Sequence, residues 1–294
     1  MQKGRIIKSL SGFYYVSNEN GIFQCKGRGI FRKRKVSPLV GDLVKFELDE
    51  NDEGYITEIE SRTNELLRPP IANVDQAVIV SSVKNPEFNP KLLDRFLVLI
   101  ESAGIKPIIF VTKMDLVNEE ELNRIKNFKR DYENIGYDFQ FFSIKQSNVQ
   151  DRLLNYFPDQ ITVIAGQSGV GKSSILNTLL PSLDLKTADI SKSLGRGKHT
   201  TRHVELLLIN NGLVADTPGF SSLDFKNIEQ EELTDCFPEM RKRKQYCKFR
   251  GCMHNKEPKC AVKLAVNNEE ISSYRYEHYL EFLAEIKSRK PRYS

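Results

Sequence analysis

Apolar and polar positions alternate in short runs along the first sixty residues. Five such runs, at 4–10, 12–17, 21–26, 44–48 and 54–59, are separated by Gly, Asn and Asp, the residues that punctuate strands. Five short strands with a basic loop after the third predict a small β-barrel. An OB-fold is the expected form in a chain that binds nucleic acid, although an SH3-like barrel has the same pattern. Arg68-Pro69-Pro70 follows, and adjacent prolines predict a stiff, extended linker.

From residue 74 the period changes. An apolar strand at 74–83 leads to an amphipathic helix at 90–103, a buried strand at 106–112 and a charged helix at 119–135. Segments 137–143, 149–156 and 161–165, then a helix at 173–180 and a strand at 213–215, continue the alternation. Such alternation predicts a largely parallel sheet with helices on both faces, whose ligands sit at the carboxyl ends of the strands. A last helix is expected over 268–289, where Tyr274, Tyr276, Tyr279 and Phe282 form an aromatic stripe that either packs or stacks on RNA. The chain thus divides into a barrel at 1–68, an α/β domain at 69–224 and a mainly helical part at 225–294.

Charge sharpens this division. The 294 residues carry a net charge of +5, but Lys and Arg outnumber Asp and Glu by 12 to 10 in residues 1–68 and by 14 to 6 in 241–294. In residues 69–240 the balance reverses, at 18 to 23. Basic ends on an acidic middle imply a polyanion held at both ends; a merely solvated basic surface is the plainer alternative. The N-terminal residues lack the apolar run of a signal peptide, and no stretch approaches the length of a membrane span, so a cytoplasmic protein without membrane contact is expected. Of five cysteines, four fall between Cys236 and Cys260, which in a reducing compartment argues for metal before disulfides.

Three motifs carry the chemistry, in an unusual order. Gly166-Gln167-Ser168-Gly169-Val170-Gly171-Lys172-Ser173, with Ser174 after it, is a phosphate loop between an apolar strand and a helix. Its backbone N–H groups suit phosphate oxygens, Lys172 the β- and γ-phosphates, and Ser173 a Mg²⁺ ion. Upstream lies Thr112-Lys113-Met114-Asp115, a guanine-reading loop in which Asp115 can accept from the N1–H and exocyclic amine of guanine. The Lys113 stem can lie along the purine face. Asn is usual at the first position, and Thr112 replaces only part of its tethering. Ser143 and Lys145 follow the next strand, where a supporting guanine loop belongs. Downstream, Asp216 would reach Mg²⁺ through water and the Gly219 N–H would sense the γ-phosphate.

In ordinary small GTPases the phosphate loop comes first and the guanine loop last. Here the ring of motifs is cut elsewhere, so the order reads as a circularly permuted P-loop GTPase binding GTP and GDP. Between the phosphate loop and Asp216, the Gly-rich segment from Gly195 holds Thr201, or failing that Thr200, as a second Mg²⁺ ligand. Phe220 stands where a water-orienting glutamine is expected. His199 is therefore the candidate catalytic group, its imidazole placed to orient the attacking water; an exposed loop histidine is the alternative.

Cys247, Cys252, His254 and Cys260 offer three thiols and an imidazole within fourteen residues. That is a complete tetrahedral set for one structural Zn²⁺; unpaired reduced thiols are the alternative. Cys25 and Cys236 read as small buried residues.

With its permuted motifs between a barrel and a Cys₃His cluster, the chain resembles the bacterial ribosome small subunit-dependent GTPase family over essentially its whole length. The resemblance implies a cytoplasmic factor that binds the immature 30S subunit and its 16S rRNA, hydrolyses GTP under stimulation by that subunit, and leaves. It also implies His199 as the catalytic histidine, Thr201 as the switch threonine, and Cys247, Cys252, His254 and Cys260 as zinc ligands. A monomer with no DNA partner is expected. An RNA-binding scaffold with incidental hydrolysis is the second reading. A general P-loop ATPase using the zinc part for DNA is the third, and Asp115 argues against it.

Overall fold

The computed structural model describes residues 1–29, 31, 36–50, 53–180, 204–216 and 223–289. Two compact units emerge: Met1–Val80 with Ser143–Ser222, and Ser81–Phe142 with Leu223–Ser294.

The first unit opens with five strands, β1 (Gln2–Leu10), β2 (Phe13–Asn18), β3 (Gly21–Gly27), β4 (Leu43–Leu48) and β5 (Gly54–Ile59). They pair in the ring order β1-β2-β3-β5-β4, with β4 closing antiparallel onto β1 and β3 parallel to β5. This is the closed OB-type barrel that the pattern predicts. Its interior holds Ile6, Val16, Cys25, Val44, Phe46 and Ile56, none more than 1% exposed.

The proline segment departs from the expected linker. Strands β6 (Glu65–Leu67) and β7 (Pro70–Ala72) form a hairpin around Arg68-Pro69. Ile71 and Ala72 are fully buried, and the Asn64 amide donates to the Val74 carbonyl at 2.8 Å while accepting from its N–H at 2.9 Å. Burial and paired side-chain bonds fold back a segment that would otherwise be extended.

Next come β8 (Gln76–Ser82), β11 (Ile161–Ala165), β12 (Glu205–Ile209) and β13 (Gly212–Asp216). β11 runs parallel to both β8 and β13, with every β11 residue buried. Antiparallel β12, which the sequence reading missed, joins β13 and pairs with β1 at Lys8 and Glu205.

The second unit contains α1 (Pro90–Ser102), β9 (Lys106–Thr112), α2 (Glu119–Ile135) and β10 (Asp138–Phe141), with β9 and β10 parallel. Asn89 caps α1 by accepting from the Leu92 N–H, and Asn118 and Glu121 form a full capping box on α2. These caps are why both helices begin where periodicity places them. Back in the first unit, α3 (Val149–Leu154) and α4 (Lys172–Leu179) follow.

The chain continues through α5 (Pro238–Arg241), α6 (Ala261–Asn267) and α7 (Ser273–Lys287). The single helix expected over 268–289 is therefore shorter, and a second helix precedes it. Asn268 closes α6 by donating to Leu264, and Glu269 takes a left-handed φ of 59°, so the chain turns before Ser272 starts α7. Tyr279 and Phe282 are fully buried with Phe225, Leu233 and Phe237 around them, which makes these aromatic positions core residues. Among the described residues no helix is long and apolar enough to cross a membrane.

Candidate nucleotide loops and metal centre

In the first unit, β11 delivers the chain into the phosphate loop with no slack. Gly166 has φ 140°, and a Cβ there would lie 2.2 Å from the Val80 carbonyl oxygen, so only glycine fits. Gly171 takes a left-handed φ of 101° and starts α4. Val170 is buried beneath the loop, whereas Gln167, Ser168 and Gly169 are exposed. The Lys172 ammonium folds back onto the Gly166 carbonyl at 2.8 Å and the Gln167 carbonyl at 2.7 Å. Burial pulls this ammonium below its usual pKa. Ser173 and Ser174 occupy the first turn of α4, half-buried. Because β13 runs parallel beside β11, Asp216 ends its strand at the same edge of the sheet as Gly166.

In the second unit, β9 ends at Thr112, which is 6% exposed and donates its hydroxyl to the Ser81 carbonyl at 3.1 Å. Lys113 then adopts φ 59°, and Met114–Leu116 make one 3₁₀ turn that leaves Asp115 exposed. Met114 N–H donates to the Phe142 carbonyl at 3.4 Å, tying this loop to the segment after β10. The Lys113 ammonium donates to the Asn85 carbonyl. Ser143 and Lys145, which follow Phe142, belong to the first unit; the Lys145 N–H donates to the Ser143 hydroxyl at 3.3 Å in a tight turn. His199, Thr200, Thr201, Gly219 and Phe220 lie outside the described residues.

The four proposed zinc ligands converge, with their donor atoms within 4.8 Å of one another. Cys247 Sγ lies 3.6 Å from His254 Nδ1 and 3.9 Å from Cys260 Sγ, and His254 Nδ1 is 3.2 Å from Cys260 Sγ. A tetrahedral Zn²⁺ site has edges of about 3.8 Å between thiolates and about 3.6 Å between thiolate and imidazole nitrogen, from its bond lengths. The donor set fits such an ion. Burial, reinforced by the neighbouring Cys260 and Cys247 thiols, pushes the Cys252 thiol up to about 12, so a cation held here would be what makes it a thiolate. The surrounding loop is held by named contacts. Glu257 accepts from the N–H groups of Met253 and Asn255, both at 2.9 Å, and Tyr276 and Tyr279 of α7 donate to the His254 and Met253 carbonyls at 2.5 and 2.9 Å. Cys25 and Cys236 are buried elsewhere, as expected of small core residues.

Asn85 meets Lys113 through its backbone carbonyl, which leaves no side-chain signature in the sequence, and nothing in the pattern of the last helix marks Arg275 as the buried one of its basic residues, 1% exposed.

A phosphate loop and a guanine-type loop on an α/β scaffold, in inverted chain order, define a circularly permuted P-loop GTPase. Residues 59–226 match the family described as RsgA GTPase, and residues 3–56 match the RsgA N-terminal domain. The chain belongs to the RsgA GTPase family. It is 64% identical over 293 residues to small ribosomal subunit biogenesis GTPase RsgA 2 from Oceanobacillus iheyensis, covering 100% of both chains. Among solved structures it resembles YloQ, a circularly permuted GTPase, at 53% identity and a TM-score of 0.86, covering 100% of this chain and 97% of that one. YjeQ from Thermotoga maritima is 36% identical with a TM-score of 0.87, over 98% and 99% of the two chains.

Proposed function

We propose that this protein hydrolyses GTP to GDP and phosphate as a late maturation factor of the 30S ribosomal subunit. In this reading the subunit stimulates turnover, and nucleotide state controls binding to and release from 16S rRNA. The observation that carries it is the inverted order of guanine and phosphate loops in a chain 64% identical, end to end, to a protein named for small-subunit biogenesis.

The roles follow from the residues. Backbone N–H groups of 166–171 cradle the phosphates, with Lys172 on the β- and γ-oxygens and Ser173 and Thr201 on Mg²⁺. Asp216 acts on that ion through water, and Gly219 reports the γ-phosphate. Thr112, Lys113, Met114 and Asp115, supported by Ser143 and Lys145, select guanine. His199 orients the attacking water, a task left open by Phe220. Residues 1–68 and 225–294 supply the basic surfaces for rRNA, with 69–224 as the GTPase domain between them. One Zn²⁺ on Cys247, Cys252, His254 and Cys260 is structural. The protein acts in the cytoplasm as a monomer, with no DNA partner.

The test is GTP turnover by the purified protein with and without 30S subunits, with 50S subunits and ATP as controls. Strong stimulation by 30S alone is expected. A rate indifferent to 30S removes the proposed activator. A His199→Ala variant that binds GTP normally and turns over at the wild-type rate removes the catalytic assignment.

A further inference from the structure

Thr112 poses a problem that its surroundings resolve. A side-chain amide at that position would brace a guanine loop from within, but the Thr112 hydroxyl is spent on the Ser81 carbonyl at 3.1 Å. The brace comes instead from the segment that follows β8. Val83 N–H donates to the Thr112 carbonyl at 3.3 Å, and Lys84 pairs with Glu121 at 2.8 Å. Between these two links, the Lys113 ammonium donates to the Asn85 carbonyl.

That carbonyl is aimed by its own backbone. Asn85 has φ 49° in the left-handed region, which Asn tolerates and β-branched residues avoid. The Ser82 hydroxyl donates to the Pro86 carbonyl at 2.7 Å and closes the turn around it. Lys113 is itself left-handed, with φ 59°, so both ends of the contact are fixed by backbone geometry. A lysine side chain loses much rotamer freedom on binding, and anchoring its ammonium beforehand removes that cost from the binding step.

We infer that Asn85 is a positioning residue for guanine recognition: its left-handed backbone holds a carbonyl on the Lys113 ammonium and so stretches the lysine stem into a preformed platform for the purine. The inference rests on the guanine-reading role proposed for Lys113 and Asp115. It adds that this role depends on a residue 28 positions upstream.

Binding of GDP to the full-length protein, measured by calorimetry, tests it. Asn85→Val disfavours the left-handed backbone and is expected to weaken GDP binding roughly fivefold, the scale of one charge-assisted contact partly lost. Asn85→Gly keeps that backbone accessible and is expected to bind within about twofold of wild type. In a Lys113→Met background, Asn85→Val should cost nothing further, because the contact is already gone. Unchanged binding by Asn85→Val overturns the inference, and so does an equal loss in the Lys113→Met background. If Asn85→Val does not fold, Asn85→Ala takes its place in the same cycle. Asp115→Asn separates the two layers of the argument: it should move preference from guanosine to xanthosine diphosphate. Unchanged guanosine preference in that variant would overturn the guanine-loop reading, and the inference with it, whatever the Asn85 variants do.

Discussion

The Lys172 ammonium has two acceptors in the structure, the Gly166 and Gln167 carbonyls at 2.8 and 2.7 Å. Both belong to the loop it must serve. They hold the charge at the loop, and burial already lowers its pKa, so phosphate oxygens would meet a cation that has shed part of its hydration. Lys172→Ala should therefore weaken GDP and GTP binding by about 10- to 100-fold, the value of a charged hydrogen bond, while the thermal midpoint of the nucleotide-free protein moves little. Nucleotide titration beside thermal unfolding checks both halves. Glu101 shows the opposite use of burial. Burial raises its carboxyl above the usual range, although the Arg241 guanidinium, 3.3 Å away, pulls the other way. A carboxyl raised in the folded state contributes stability at pH below its unfolded value and loses it as pH rises through the folded value. The stability difference between Glu101→Gln and wild type should accordingly shift in the variant's favour between pH 4 and pH 7. Denaturant unfolding at the two pH values would show no shift if Glu101 were not held above its usual range.

Helix α7 is joined to its neighbours through one buried guanidinium. Arg275, 1% exposed, reaches both Glu239 oxygens of α5 at 2.8 and 3.1 Å and donates to Asp94 of α1. Asp94 also accepts from the Tyr132 hydroxyl of α2 at 2.6 Å, and His278 Nδ1 lies 2.6 Å from its other oxygen. Desolvation opposes the charge on Arg275, but Asp94 and Glu239 more than offset it and raise its pKa. Truncation leaves two buried carboxylates without their cation, so Arg275→Ala should cost about 3–5 kcal/mol. Arg275→Lys should stay destabilised, since an ammonium cannot match a planar fork with three bonds. Chemical denaturation reads both, and recovery by lysine would contradict the geometric argument. Legibility at this scale followed local chemistry. The strands at 54–59, 106–112 and 161–165 begin and end where apolar patterning and turn residues put them, and α2 begins at its capping box. The hairpin at Arg68-Pro69 was illegible because Ile71 and Ala72 are buried by distant residues, and prolines report only their own preference. Strand β12 hid because its partners, β13 and β1, come from opposite ends of the first unit's sequence. The loop at 166–173 was legible from its glycine spacing, although the steric demand at Gly166 comes from the Val80 carbonyl, remote in sequence. The Asn85 carbonyl and the Arg275 cluster depend on contacts 28 and 181 residues away in sequence.

Circular permutation places the motifs of one GTPase in two compact units. The phosphate loop shares its unit with the barrel, whereas the guanine-type loop shares the other with the cluster of Cys247, Cys252, His254 and Cys260. Within that second unit a continuous chain of contacts leads away from this cluster. Tyr276 and Tyr279 bind the carbonyls of His254 and Met253 beside the ligands, Arg275 lies on the same helix, and Asp94 receives Arg275 on α1. Helix α1 precedes β9, whose last residue is Thr112. The loop bearing these four residues has little apolar surface of its own, so a metal ion held there would order it, and its binding would be folding free energy for whatever packs on it. Chelating the ion from the full-length protein should therefore raise amide exchange first around 247–260, then along α6 and α7, and to a smaller degree in α1. The barrel strands β1–β5, in the other unit, should keep their protection. Hydrogen exchange with and without chelator separates this from a general loss of stability, because local opening leaves distant cooperative units untouched. Equal loss of protection in β1–β5 and in α7 would mean that the ion stabilises the whole chain rather than the unit that holds it.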